Sequence, residues 1–558
     1  MAAPKKFAVI GAGVAGLLAA QQLKHEGFDV TIYEKTDNVG GVWQSNYAGY
    51  ALQVRKWHFV IPGYPWPNDE SHPQYPTGQE CQRYIERYAA DTGLLPLITF
   101  NATVVSVSPK LTNGHTLESA TGSDGWEVKW SDEKGKERTE SYDFVVIATG
   151  LFSIPSRPEW AQGLVSATPP ASGPWVVDVK DFTDAQLPLA KGKRVVIIGA
   201  GKSAHDVGLV TSKVAASTTL VARRGHWMAP QKVLGFLPLE FATYTRWSWA
   251  LQPAFYNAGA VKRAAHTLFR PVKAAAWALF GAIFKLQTSV PSEISPKHGL
   301  LTGIYDTIGM VNSTELSRAF TSGQLAARKA RVEKVDGKTL TLSDGSTIEA
   351  DIVVLATGYQ PLAKTLLPTD NLRARAGFVD NRGRGGDNYD LQWLYRNVLP
   401  PRLSNIAFIG QHATFAHVLT ASLESRWLAG VLSGQVKLPS QEAQLEDIAR
   451  QQAWWERIYF PRSNNYVWAL HGKFHDQLVR DLKGNARAYS ALNPVGEWFG
   501  YIKNELYSDL FPAHVGIKDR ALSGKSTPEA APAAASKAPN GKAATVAVPP
   551  AQVQAAAA

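Results

Sequence analysis

One local pattern occurs twice in the chain. Residues 7–20 read FAVIGAGVAGLLAA, and residues 193–206 read KRVVIIGAGKSAHD. In each, a short apolar run rich in branched residues ends in G-x-G and passes into small residues. A strand that turns tightly on glycine into a helix belongs to a parallel α/β sheet. The helix N-terminus at such a turn is an anion site. Each copy has followers at similar distances. FDVTIYEK (28–35) and STTLVARRG (217–225) read as second strands, and YDFVVIATG (142–150) and ADIVVLATGY (350–359) as buried later strands ending in turns. LSNIAFIGQ (403–411) adds one more buried strand, and TASLESRWLAGVLSG (420–434) a helix.

The fold class that follows is α/β. It has two Rossmann-like dinucleotide-binding domains, the second inserted in the first, plus a helical insertion. The expected divisions are 1–160 for the first part of one domain and 161–360 for the inserted domain. The insertion falls at about 240–310, the return at 361–520, and an Ala/Pro-rich tail expected to be disordered at 521–558. A length of 558 residues suits more than one lobe. TGQECQRYIERYAADTG (77–93) reads as a helix, with Thr77 and Glu80 at capping-box spacing.

Composition narrows the class of partner. The net charge of +11 favours anionic ligands or surfaces, but the basic residues are scattered and no nucleic-acid motif stands out. The single cysteine, Cys81, allows no internal disulfide and excludes a redox dithiol. With no signal peptide read at MAAPKKFAVIGAG, the expected location is cytoplasmic. The stretch 240–300 is rich in Trp, Phe and Ala with interspersed Arg and Lys. It reads as a helical lid on the second lobe. The alternative is an amphipathic segment making a peripheral membrane contact over 240–290.

The two cradles differ in the charge that follows them. Gly11, Gly13 and Gly16 fit G-x-G-x-x-G: a tight turn, a close approach to pyrophosphate, and helix packed on strand. Glu34 ends the next strand, with Lys35 beside it, and is placed to accept from ribose hydroxyls while repelling a 2′-phosphate. This cradle is expected to hold FAD. Gly41, Val42 and Trp43 in VGGVW follow closely. The glycines bring backbone near something flat or charged, and Trp43 either covers it or packs in the core. In the second cradle Gly199, Gly201 and Ala204 give the G-x-G-x-x-A variant, and the following strand ends in Arg223 and Arg224. Two guanidinium forks match a 2′-phosphate, which points to NADPH. Ser203 is placed to hydrogen-bond the pyrophosphate, and Asp206 either lies at the ligand or caps backbone amides. Val104, Thr149, Gly150, Thr357, Gly358 and Gly410, in the later strands and turns, complete the expected cofactor contacts.

The ordered set GAGVAG (11–16), GGVW (40–43), YPWP (64–67), ATG (148–150), GAGKSAHD (199–206), RRGHW (223–227), LATGY (355–359) and SRWLAG (425–430) resembles the flavin-containing monooxygenases over residues 5–500, with the plant-type branch nearest in look. The resemblance implies that NADPH reduces FAD, that O2 adds to give a C4a-hydroperoxyflavin, and that an amine nitrogen or a sulfur of a small molecule takes the distal oxygen. It places Gln53 where the animal branch has an asparagine facing the flavin's reactive edge. It implies no metal. One departure stands out. In GPWVVDVKDF (173–182) Asp178 stands where the family's linker motif has a histidine thought to couple the domains. Three alternatives stay open: a Baeyer–Villiger-type enzyme, a 2-oxo-acid-decarboxylating monooxygenase, and an uncoupled NADPH oxidase or redox sensor.

Overall fold

The computed structural model describes residues 6–44, 46–66, 74–112, 114–306, 308–379, 391–458, 471–485 and 493–511. The tail expected at 521–558 lies outside them.

Apolar runs of two to six residues form the strands of two parallel sheets. In chain order the elements that matter are β1 (Lys6–Ile10), α1 (Val14–His25), β2 (Asp29–Tyr33), α2 (Gly78–Asp91), β3 (Ile98–Thr99), β4 (Phe144–Ile147), β5 (Ile154–Pro155) and β6 (Trp175–Asp178). There follow β7 (Arg194–Ile198), α3 (Lys202–Ser212), β8 (Ser217–Ala222), β9 (Trp227–Pro230), α4 (Ala260–Leu268), α5 (Arg270–Thr288) and β10 (Ile308–Val311). Last come β11 (Leu325–Lys329), β12 (Ile352–Leu355), β13 (Tyr359–Gln360), β14 (Ile406–Phe408), α6 (His417–Leu432) and α7 (His471–Asp481).

The first sheet runs β14–β4–β1–β2–β3 and the second β11–β8–β7–β12–β6. In each, the strand that leads into the glycine turn is central, with its second strand on one side and its ATG strand on the other. All four residues of β4 and of β12 are buried, as strands covered on both faces require. β14 comes back after the second sheet is complete and pairs Ala407 with Val146, so the first sheet is built from both sides of the second. The chain crosses between sheets twice, and the crossings pair with each other: β5 lies antiparallel to β13. The helix expected from its capping box is α2. Thr77 Oγ1 accepts from Glu80 N–H while the Glu80 carboxylate accepts from Thr77 N–H at 2.7 Å.

The insertion is helical. On α5, Trp277, Gly281, Phe284 and Thr288 are buried at spacings of four, three and four, one helical stripe. That stripe packs on β9 and the neighbouring helices, as a lid would. The opposite stripe is apolar and bare: Val272, Leu279 and Leu286, seven apart, are 64%, 62% and 81% exposed. On α4, Val261 and Leu268 repeat the spacing, also exposed. No single described helix is long and apolar enough to cross a membrane, although α4 and α5 together, bent by 59°, reach that length and composition.

Candidate functional site

Both glycine turns are built so that side chains would not fit. A Cβ on Gly16 would stand 1.9 Å from the carbonyl oxygen of Gly11, so only glycine lets α1 sit this close to β1. A Cβ on Gly199, where φ is +134°, would stand 2.2 Å from the carbonyl of Ala356. Gly13 and Gly41 face each other across the first turn with no side chain between them.

Around this first turn the structure gathers much of what the sequence singled out. Glu34 is buried at the end of β2. Its Oε2 accepts from Ala12 N–H at 2.8 Å, and its Oε1 accepts from Thr36 N–H and Oγ1–H. Lys35 beside it is exposed. Val42 is exposed and Trp43 half-buried. Trp43 meets Phe59 edge-on at 5.0 Å, and its carbonyl takes the Tyr50 hydroxyl. Thr149 follows β4 next to Gly11, and Gly410 follows β14 next to Ala15. Val104 packs against the core of this sheet.

Sequence reasoning missed the floor of this cradle. Gly410 N–H donates to Glu424 Oε2 at 3.1 Å, and Glu424 Oε1 lies 3.3 Å from His412 Nδ1. Burial pushes the Glu424 carboxyl well above its ordinary range. Burial, with His417 beside it, holds His412 down at about 3. Both shifts disfavour the charged forms of the pair. An acid inside the apolar stripe of TASLESRWL was the available signal, since an isolated buried carboxylate demands a special setting. Thr149 Oγ1, Gln411 Nε2 and His412 Nε2 are buried without a partner among the described residues. Buried polar groups are normally satisfied. A flat cofactor with polar ring edges fits that requirement, and the open glycine groove fits its pyrophosphate.

The second cradle is wired to the first half of the chain. Asp206 does not cap backbone amides: its carboxylate pairs with the Lys202 ammonium and accepts from the Tyr47 hydroxyl at 3.0 Å. Burial and Asp206 together push the Tyr47 phenol well up. Gly201 has open space where a side chain would be, and Ala204 is buried under the turn. Ser203 lies in the first turn of α3, and Arg223 and Arg224 directly follow β8, exposed and half-buried. Thr357 and Gly358 lie at the crossing: Thr357 Oγ1 donates to Ser156 O, and Gly358 O accepts from Ser156 N–H at 2.9 Å. Gly150, at φ +65°, opens the other crossing.

Gln53 reaches across to the strand that closes the insertion. Its Oε1 accepts from Met310 N–H at 3.0 Å, in β10, which runs parallel to β9. Asp178 is 1% exposed at the end of β6. It holds a fork of Arg157, with Nη2 and Nε 2.6 and 3.0 Å from Oδ2. The hydrogen bonds it donates to Asp178 hold the Arg157 guanidinium above its usual value. Arg157 follows β5, so the carboxylate clamps the first crossing to the second sheet. Nothing in the local sequence pointed to Arg157.

A family model described as flavin-binding monooxygenase-like matches residues 4–258 and 306–469. The chain belongs to this family. "Probable flavin-containing monooxygenase 1" of Arabidopsis thaliana is 26% identical over 491 residues, covering 80% of this chain and 86% of the relative. Among solved structures, S-allyl-L-cysteine S-oxygenase from Allium sativum aligns over 86% of this chain and 89% of its own at TM-score 0.55 and 17% identity. Cyclohexanone-bound cyclohexanone monooxygenase aligns over 86% and 97% at TM-score 0.61 and 15% identity. The protein is an NADPH-dependent flavin monooxygenase, and its cofactors are FAD and NADPH. Residues 259–305, which carry α4 and α5, fall between the two segments matched to the family.

Proposed function

We propose that this monooxygenase transfers one oxygen atom of O2 to a soft nucleophile, an amine nitrogen or a sulfur, of a small molecule. The observation that carries the cofactor assignment is the opposite charge beside two like cradles, buried Glu34 after the first and Arg223–Arg224 after the second. FAD bound at Gly11, Gly13, Gly16 and Glu34 supplies hydride acceptance and oxygen activation. Glu34 would accept from the ribose hydroxyls, and Glu424, whose charged form burial disfavours, holds the Gly410 turn. Arg223 and Arg224 would grip the 2′-phosphate of NADPH, while Gly201 and Ser203 would face its pyrophosphate. Gln53, held by Met310 N–H, offers its amide to the reacting edge. The apolar wall beyond Met310 would keep water from the flavin's reacting edge. The deciding experiment supplies the protein with NADPH, O2 and, in turn, a tertiary amine, a thioether and a cyclic ketone. N- or S-oxide is expected. Ester from the ketone alone would mean a Baeyer–Villiger enzyme, and NADPH oxidation giving only hydrogen peroxide would mean an oxidase.

We further propose that the bare face of α4 and α5 rests on an anionic membrane surface. Residues 241–292 contain no acid and six Lys or Arg. The exposed stripe continues onto Leu234 and Phe236, in a hairpin tied to α5 through Gln287. Apolar side chains with basic neighbours suit the headgroup boundary. Co-sedimentation with phosphatidylglycerol vesicles is expected and should be lost in Phe236→Ser/Leu286→Ser. A wild-type protein left in the supernatant at every lipid concentration rules the contact out.

A further inference from the structure

The insertion that the family model leaves unmatched builds one wall of a partly open apolar pocket. Trp277, Phe280 and Phe284 of α5 face Met310 and Phe415 across it. On the oxygen-transfer reading the Met310 side is the reaction side, because Gln53 accepts from its backbone N–H. Gln252 also lines the pocket, and its backbone marks a place of unusual charge. The Lys273 ammonium donates to Gln252 O at 3.4 Å, and the Lys473 ammonium to Pro253 O at 2.7 Å. His266 Nδ1 touches the Lys273 ammonium, and Lys262 lies one turn before His266 on α4. Lys273 and Trp277 are four residues apart on α5, so the basic cluster lies about one turn, roughly 5.4 Å along the axis, from the pocket wall.

Nothing negative balances this cluster among the described residues. Lys473 is 9% exposed, and the charges weighing most on it are Lys262 and Lys273. Burial and these like charges hold Lys473 down at about 7 and His266 at about 4. Acids on nearby helices are paired elsewhere: Asp476 with Arg246 at 2.8 Å, Asp447 with Arg396 at 2.9 Å. An ammonium has three donors, and the Lys473 ammonium meets one carbonyl here. Lys473 alone is buried, Lys273 is half-buried and Lys262 exposed, and a buried ammonium beside two like charges without a counter-charge is costly unless an anion joins them.

We infer that Lys262, Lys273 and Lys473 receive the anionic end of the substrate, a carboxylate or phosphate ester, while the aromatic pocket holds its apolar body and the nucleophilic atom lies toward Met310. The substrate class is then an apolar amphiphile with one anionic end. The inference rests on the oxygen-transfer reading only for which end reacts; the binding itself does not depend on turnover.

The test is equilibrium binding of decanoate and of the equally long, uncharged decan-1-ol to the flavin-loaded full chain, read by quenching of tryptophan fluorescence. Decanoate should bind about tenfold more tightly or better, the worth of one charge-assisted hydrogen bond. Lys273→Met and Lys473→Met should each bring the ratio toward one. Flavin absorbance and decan-1-ol binding report whether a variant is folded. Lys262→Gln, at an exposed position, keeps the test open if the buried variants do not fold. Equal affinities in the wild type, or an unchanged ratio in the variants, overturn the inference. So does a cluster whose variants lose phosphatidylglycerol vesicles while decanoate shows no preference, since the anion would then be a lipid headgroup. A protein that binds decanoate preferentially but gives no oxygenated product refutes the oxygen-transfer reading and leaves this one standing.

Discussion

Removing Arg157 should cost more stability than removing the charge of its partner. Asp178 is 1% exposed, whereas the Arg157 side chain is 45% exposed. At their 3.0 Å Nε–Oδ2 separation two unit charges attract by roughly 5.5 kcal/mol at an effective dielectric near 20. Desolvation and the open side of the guanidinium offset much of this. Breaking a buried pair by deleting one member costs about 3–5 kcal/mol because the other charge is stranded. Arg157→Ala strands a buried carboxylate, and solvent reaching the vacated side trims the loss to roughly 2–3 kcal/mol. Asp178→Asn strands nothing, since Arg157 turns into water, and loses about 1 kcal/mol of hydrogen bonding. The double variant should be more stable than Arg157→Ala alone, because the stranded charge is gone. Apparent melting temperature at matched scan rate orders the four proteins. The reasoning fails if Asp178→Asn is as damaging as Arg157→Ala, or if the two losses add in the double variant.

Four further outcomes are expected. Gly16→Ala should yield protein without flavin absorbance, since its Cβ would stand 1.9 Å from Gly11 O; a normal flavin spectrum contradicts the close-approach account. Arg223→Ala should lose ~1–3 kcal/mol of NADPH recognition, roughly a 5–150-fold rise in KM, with NADH little affected; equal loss for both nucleotides removes Arg223 from the 2′-phosphate. Burial raises the folded-state value of Glu424 above its unfolded one, so its contribution to stability is present below about pH 4.3 and is lost as pH rises toward the folded value. Within that window Glu424→Gln should gain on the wild type by roughly 1.4 kcal/mol per pH unit; parallel stability–pH curves would mean Glu424 is ionised in the fold. Gln53→Ala should lower oxygenated product per NADPH while flavin content is kept, and an unchanged ratio would place Gln53 outside the reacting edge.

Much of the frame was legible in the residues alone. The branched runs of β1 and β7 pass through glycine into helices, and that local grammar needs no partner from elsewhere in the chain to be read. Glu34 and the Arg223–Arg224 pair were equally legible, because each sits directly at the end of a second strand. The Thr77–Glu80 capping box was legible because both halves lie within one turn. What the sequence could not state is which distant groups share a buried space. The charged forms of Glu424 and His412 are disfavoured because tertiary packing removes water from both. The resemblance expects a histidine at Asp178, but its role comes from Arg157, which only the β5–β13 crossing brings to it. Lys473 reaches Lys273 from 200 residues away, and neither lysine looks unusual in its own helix. Local periodicity records which face of an element is covered; the long-range fold decides which charges share the low dielectric behind it, and that sets protonation, pairing and the chemistry of the pocket.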